Sequence, residues 1–184
     1  LAHNSSGKLP YWAQIKEQMK AEGIVSPTIR ILKNGKLRDE VIHVLDIIAR
    51  FNIILATSHI SKPETFALVK AAKERKVGRI IITHADFPST FYSVDEQKDL
   101  VRQGALVEHC YTTPATGKVT WDVVIEQIRA IGPEHVVLAT DLGQATGVFP
   151  DEGLGFFAEK LLENGFSELD VRKMMVENPA SLVE

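Results

Sequence analysis

Four apolar segments of this chain each end in a small or acidic residue followed by His or Asp, and this repeat restricts the possible folds. The segments are ILATSHI, IIITHAD, ALVEHCY and VVLATDL, and they close with Ser58-His59, Thr83-His84, Glu108-His109 and Thr140-Asp141. Continuous Val, Ile and Leu runs are typical of strands in parallel sheets, which are buried on both faces. A loop and a helical pattern follow each segment, so the sequence predicts four consecutive βα units.

The hydrophobic periodicity and the turn residues also predict where the elements begin and end. We expect strands over 53–58, 79–83, 105–110 and 136–140, followed by helices over 63–76, 94–103, 121–132 and 151–164. Before these units the sequence predicts a loop at 1–10, a helix over 11–22, a turn at Asn34-Gly35 and a helix over 37–50. After them, Ser167 and Asp170 predict the start of a further helix that stops before Pro179.

Four βα units are half of an eight-stranded barrel, and an open half barrel leaves two unpaired edges and an uncovered inner face. We therefore expect an α/β fold in which 1–184 form one domain. Residues 1–51 form a loop and helices that precede the βα units. Residues 52–184 supply roughly strands five to eight, with their helices, of a (β/α)8 TIM-type barrel. The other strands are expected upstream of Leu1 or from another chain, either as a homo-oligomer or by association with the missing barrel half.

Composition limits the partners that this chain is expected to bind. A net charge of −3 provides no attraction for nucleic acid or an anionic membrane, so we expect a small-molecule substrate instead. The apolar runs are far shorter than a membrane span. The single cysteine, Cys110, excludes an internal disulfide and fits a reducing, cytoplasmic compartment. We expect Cys110 to be a small packing residue.

All four segment ends have the residue types of a metal site, and three of them supply the candidate ligands His59, His84 and Asp141. Imidazole and carboxylate are common ligands of Zn²⁺. His59 and His84 lie one βα unit apart, which places them at equal height on adjacent strands. Asp141 closes the last strand. A hydrolytic metal needs an open position for water and a nearby carboxylate that takes the water's proton, a role for which Asp141 is the candidate.

The third segment end leaves two alternatives, because side chains alternate between the faces of a strand. Glu108 and His109 must point to opposite faces, so at most one of them faces the site. Either is a candidate for contacts with substrate or leaving group. Lys62, which follows the first strand end, and Gln144, which follows Asp141, are further candidates for substrate binding.

At His59, His84 and Asp141 the pattern resembles the amidohydrolase superfamily of metal-dependent hydrolases, which are (β/α)8 barrels. By this resemblance, His59 and His84 correspond to the histidine ligands on strands five and six. Asp141, in ATDLGQ, corresponds to the strand-eight aspartate that binds metal and acts as base. The closing NPASLV also resembles the end of the family's domain. The family's His-x-His on strand one and its strand-four ligand have no counterpart in this chain.

The resemblance implies hydrolysis of an amide, lactone or other ester bond by a metal-activated water. It also implies a divalent metal, with zinc expected and one or two ions per site. Two alternatives stay open at this point. One is a metal-dependent decarboxylase or lyase on the same barrel, and the other is a non-catalytic binding module with an incomplete metal site.

Overall fold

The structure is a computed structural model that describes residues 11–25, 29–144 and 147–184, so the loop expected at 1–10 lies outside the described residues. The strands are β1 (Leu32–Lys33), β2 (Lys36–Leu37), β3 (Leu55–Ala56), β4 (Ile80–Ile82), β5 (Ala105–Cys110) and β6 (Val136–Ala139). The α-helices are α1 (Tyr11–Ala21), α2 (Asp39–Arg50), α3 (Lys62–Glu74), α4 (Val94–Arg102), α5 (Thr112–Ala115), α6 (Trp121–Ile131), α7 (Pro150–Glu163), α8 (Glu168–Arg172) and α9 (Asn178–Ser181). A 3₁₀-helix spans Pro133–His135 and a π-helix spans Lys173–Glu177.

The turn predicted at Asn34-Gly35 joins β1 to β2 in an antiparallel hairpin. Both turn residues have positive φ angles, 52° at Asn34 and 75° at Gly35. A two-residue hairpin turn of this kind requires positive φ at both positions, and Asn and Gly adopt it at the lowest cost. The prediction is confirmed.

The strand order β3-β4-β5-β6 confirms four parallel strands connected through helices. The first of them is shorter than predicted, because its ladder stops where Ser58 takes a left-handed conformation with φ 51°. The fold is therefore mixed α/β with one four-stranded parallel sheet. Further strands of a barrel are not among the described residues, so the eight-stranded barrel stays a prediction.

The two faces of the parallel sheet differ in burial. One face packs beneath the helices and is apolar; on it lie Ile80, Ile82, Val107, Val136 and Leu138, all 5% exposed or less. Residues that alternate with these point to the other face. On that second face Ala56, Ile81, Leu106, Glu108 and Ala139 are exposed or half-buried, whereas Val137 and Cys110 on the same face are buried. We call this second face the open face.

The C-terminal helices are fastened to β6 by Asn178, which is 6% exposed. Its Nδ2 donates to the carbonyl oxygens of Pro133, at 2.8 Å, and Val136, at 2.7 Å. The helix expected to stop before Pro179 instead continues into α9, with Pro179 in the first turn. No helix in the described ranges combines the length and apolar character needed to cross a membrane.

Replacing Asn178 by alanine is expected to lower the free energy of unfolding by about 2–3 kcal/mol, since two carbonyl groups near the start of β6 lose their amide donor. Ser181→Ala is the matched control. It removes one hydrogen bond from an exposed hydroxyl to the Asn178 carbonyl and should cost under about 1 kcal/mol. Urea denaturation measures both values. Equal values for the two variants would show that the Asn178 side chain does not hold the C-terminal helices.

Candidate metal centre

The carboxyl edge of the parallel sheet contains three non-glycine residues in the left-handed conformation. Ser58 follows β3, His84 follows β4 and Asp141 follows β6, with φ angles of 51°, 51° and 53°. This conformation is uncommon for residues with a side chain, and such residues cluster at functional sites. Two of the three are predicted site residues.

The sequence placed His59 and His84 at equal height on adjacent strands, and the register agrees. Ala56 is paired with Ile81, and each histidine lies three residues further along its own chain segment. The two imidazole ring centroids are 5.1 Å apart. His59 is exposed, whereas the side chain of His84 is 14% exposed. The two rings therefore lie side by side at this edge.

Among the residues that the structure describes, His84, Glu108 and Cys110 form a set of metal-ligating groups in which one ligand atom of each lies within 4.8 Å of the other two. His84 Nδ1 is 3.2 Å from Glu108 Oε2 and 3.2 Å from Cys110 Sγ. Ligand atoms around a tetrahedral zinc ion lie about 3.5 Å apart, so these three groups need only small shifts to hold one ion. We call these residues the ligand trio.

One strand supplies two members of the ligand trio. Glu108 and Cys110 are two residues apart on β5, so both point to the open face. His84 reaches the same place from the end of β4, and its backbone N–H donates to Glu108 Oε2 at 3.1 Å. Nitrogen, oxygen and sulfur donors in one set suit a borderline metal such as zinc.

Hydrogen bonding shifts the pKa values of His84 and Glu108 in opposite directions. The hydrogen bond to Glu108 raises the pKa of His84 above its usual value, against the opposing effect of burial. Burial alone would raise the pKa of the Glu108 carboxyl, but the hydrogen bonds from the ring and backbone of His84 outweigh it and the pKa is lowered. Glu108 is therefore ionised across the neutral range.

Unlike the Glu108 carboxyl, the Cys110 thiol has a raised pKa. Burial raises the pKa of its thiol far above the ordinary value, and the negative charges of Glu108, Asp86 and Asp141 raise it further. Without a cation the sulfur therefore keeps its proton. A bound metal reverses this balance, because a coordinating thiol is deprotonated by the ion's own charge.

The structure places Glu108 and His109 on opposite faces of β5, as the alternation of side chains predicts. Glu108 lies on the open face with His84, whereas the His109 side chain is 0% exposed on the face that packs against the helices. His109 has no accessible surface through which to contact a substrate. Its ring instead faces the carboxylate of Asp86, with Nδ1 3.6 Å from Oδ2.

The other candidates lie around the ligand trio rather than in it. Asp141 is exposed, and its negative charge acts on both His84 and Cys110. Lys62 is paired with Glu96, with Nζ 2.7 Å from Oε2, so its charge is already compensated. Gln144 is exposed in the loop that follows β6.

The model of one protein family matches residues 5–108, which is more than half of the chain. The chain belongs to this family. It is DUF6282, described as a family of unknown function. The matched DUF6282 region contains His59 and His84 and ends at Glu108, while Cys110 and Asp141 lie beyond it. No curated protein and no solved structure gives a significant match to the chain.

Sequence reasoning did not include Cys110 among the ligands of this DUF6282 chain. A lone cysteine is usually a packing residue, and Cys110 is indeed buried, at 1% exposed. The available signal was the spacing Glu108-x-Cys110 on a strand, which places both side chains on one face. Recognising it required knowing that this face is the one that His84 also reaches.

Proposed function

We propose that this protein is a metal-dependent hydrolase that acts on an amide, lactone or other ester bond. The observation that supports the proposal is the ligand trio of His84, Glu108 and Cys110 at the carboxyl edge of a parallel sheet. Ligands and reacting groups of βα folds are found at this edge. The resemblance of His59, His84 and Asp141 to amidohydrolase positions supports the same reaction class.

The bound metal is proposed to be zinc held by the ligand trio. Three protein ligands leave a position for water, which is the arrangement of catalytic rather than structural zinc sites. A divalent ion in such a site lowers the pKa of water toward neutrality and polarises the carbonyl of the substrate. His59, whose ring lies beside that of His84, is the proposed ligand of a second ion.

Asp141 is proposed as the general base. Its left-handed backbone holds it at the end of β6, where its charge acts on His84 and Cys110. The carboxylate takes a proton from the attacking water as the water oxygen bonds to the carbonyl carbon. The same proton then passes to the departing alkoxide or amine as the ester or amide bond breaks.

We infer that the four-stranded sheet belongs to a (β/α)8 barrel. The open face carries apolar residues such as Ile81 and Leu106 beside Glu108, and β3 and β6 each pair on one side only within the described ranges. Additional parallel strands would cover this face and pair with both edges. A small-molecule substrate would then bind in the barrel mouth.

The test is hydrolysis by the full chain after chelation and after addition of Zn²⁺, measured on chromogenic ester, lactone and anilide substrates. We expect chelation to abolish turnover and one or two equivalents of Zn²⁺ to restore it. Asp141→Asn should lower kcat by about 10²–10⁴-fold, because the water loses its base. Asp122→Asn is the matched control, since Asp122 is an exposed carboxylate on α6, and it should retain full turnover.

Two results would contradict the proposal. Turnover that is unchanged after chelation would remove the metal from the reaction. Full activity of Asp141→Asn would remove Asp141 as base. Zinc binding without turnover would favour a binding module, and release of CO₂ from a carboxylate substrate would favour the lyase alternative.

A further inference from the structure

The strand that supplies Glu108 and Cys110 carries a third ionisable residue between them, on the opposite face. His109 points under the sheet toward the helices, and its partner there is Asp86, from the loop that follows β4. Both side chains are 0% exposed. Within the described part of the chain, neither carboxylate oxygen and neither ring nitrogen has a hydrogen-bond partner, and the two groups face each other at 3.6 Å.

A buried carboxylate is costly unless a donor or a cation faces it. Asp86 and His109 therefore hold each other in place. Asp86 lies two residues after His84, and His109 adjoins both Glu108 and Cys110. The pair thus connects the loop that presents one member of the ligand trio to the strand that presents the other two.

Backbone contacts join the same two segments. The N–H of Ala85 donates to the Glu108 carbonyl at 3.0 Å, and that of His84 donates to the Glu108 side chain. The loop closes on itself through Tyr92 N–H to Ala85 O, at 2.8 Å, and through Thr90 Oγ1 to His84 O, at 3.0 Å. The Asp86–His109 pair is the side-chain contact that fastens this loop from beneath the sheet.

We propose that Asp86 and His109 are positioning residues that set the distance from His84 to Glu108 and Cys110. This inference rests on the proposed metal site. The pair is not among the proposed ligands and acts through the backbone on either side of the sheet. The negative charge of Asp86 acts in addition on His84 and Cys110, so the test needs a readout in the metal-free protein. Removing it leaves all three ligands present but lets the loop move relative to β5. Loss of the residues that orient the ligands lowers metal affinity although every ligand is still present.

The experiment compares Asp86→Leu/His109→Leu with Val107→Ala in the full chain. The double variant replaces both polar partners by apolar groups, which preserves folding better than removing one. Val107 is 0% exposed and points to the same helix-covered face of β5, so its truncation disturbs the core but leaves both members of the pair in place. Asp86→Asn, which keeps a polar side chain of the same shape opposite His109, is the conservative variant in case the double variant does not fold.

Two readouts are needed, one with metal and one without. We expect the double variant to bind Zn²⁺ about 10–100-fold more weakly, Val107→Ala to stay within about threefold, and Asp86→Asn to lose less than the double variant. In the metal-free protein, amide hydrogen exchange at His84 and Ala85 should be about tenfold faster in the double variant than in Val107→Ala.

The two readouts also separate this inference from the proposed function. If the unmodified chain binds no Zn²⁺, the proposed function fails, and the exchange rates at His84 and Ala85 still decide whether the pair fastens the loop. The positioning role would be overturned if the double variant exchanged these amides at the same rates as Val107→Ala. If the double variant does not fold, the same comparison is made with Asp86→Asn. Unchanged Zn²⁺ affinity in a chain that binds the metal would also overturn the positioning role.

Discussion

Replacing His84 by asparagine is expected to lower the affinity of the protein for Zn²⁺ by at least about 100-fold, because loss of a ligand's supporting partner alone costs up to that amount. Asparagine adopts the left-handed conformation found at His84 and avoids the strain that alanine would add. Its amide is a poor zinc ligand. The loss of affinity is therefore caused by removal of the imidazole and not by a change of backbone conformation. Calorimetric titration of the metal-free protein with Zn²⁺ measures the affinity.

His43→Asn is the matched control, because His43 is an exposed histidine on α2. It should bind Zn²⁺ as the unmodified chain does. Zinc should also raise the Tm of the unmodified protein, since a ligand that binds only the folded state stabilises it. His84→Asn should lose most of this rise at the same zinc concentration. An equal rise in both proteins would exclude His84 from the metal site.

The affinity for Zn²⁺ is expected to rise with pH by at least about 100-fold between pH 6 and pH 8, because binding displaces protons. Cys110 is a thiol throughout this range, since its pKa is raised, so its proton leaves on binding at every pH. Release of this one proton raises the affinity for Zn²⁺ about tenfold per pH unit. Glu108, with its lowered pKa, is already ionised and adds nothing.

His84 determines where the pH dependence becomes steeper. Its pKa is raised, so below that value a second proton must leave and affinity falls faster as the pH falls. We expect one proton released per zinc above the pKa of His84 and two below it. Calorimetry in buffers with different ionisation enthalpies counts them. Cys110→Ser should remove the slope above the pKa of His84, and an unchanged slope would mean that the sulfur is not a ligand.

The sequence predicted much of the architecture because its signals are local. Apolar runs of strand length that alternate with amphipathic helices specify four βα units, and Asn34-Gly35 specifies a hairpin. Equal chain spacing between units placed His59 beside His84, since parallel strands joined by similar helices keep the same height. The helix predicted over 94–103 likewise agrees with α4, whose first turn is closed by a capping box of Ser93 and Glu96.

Other features depended on contacts between distant parts of the chain. Lys62 was a reasonable candidate for substrate binding until its pairing with Glu96, 34 residues away, was apparent. Both faces of β5 contain apolar residues, so alternation alone could not tell which face carries helices. That uncertainty left Glu108 and His109 as equal candidates.

The sequence by itself determined the order of strands and helices and the edge of the sheet at which His59, His84 and Asp141 lie. Only the tertiary structure decided that Glu108 and Cys110 join His84 while His109 turns away to Asp86. The physical reason is that strand pleating fixes which residues share a face, whereas helix packing on one side decides which face is open. The fourfold repeat of strand ends therefore locates the proposed metal site, and packing determines which side chains meet there.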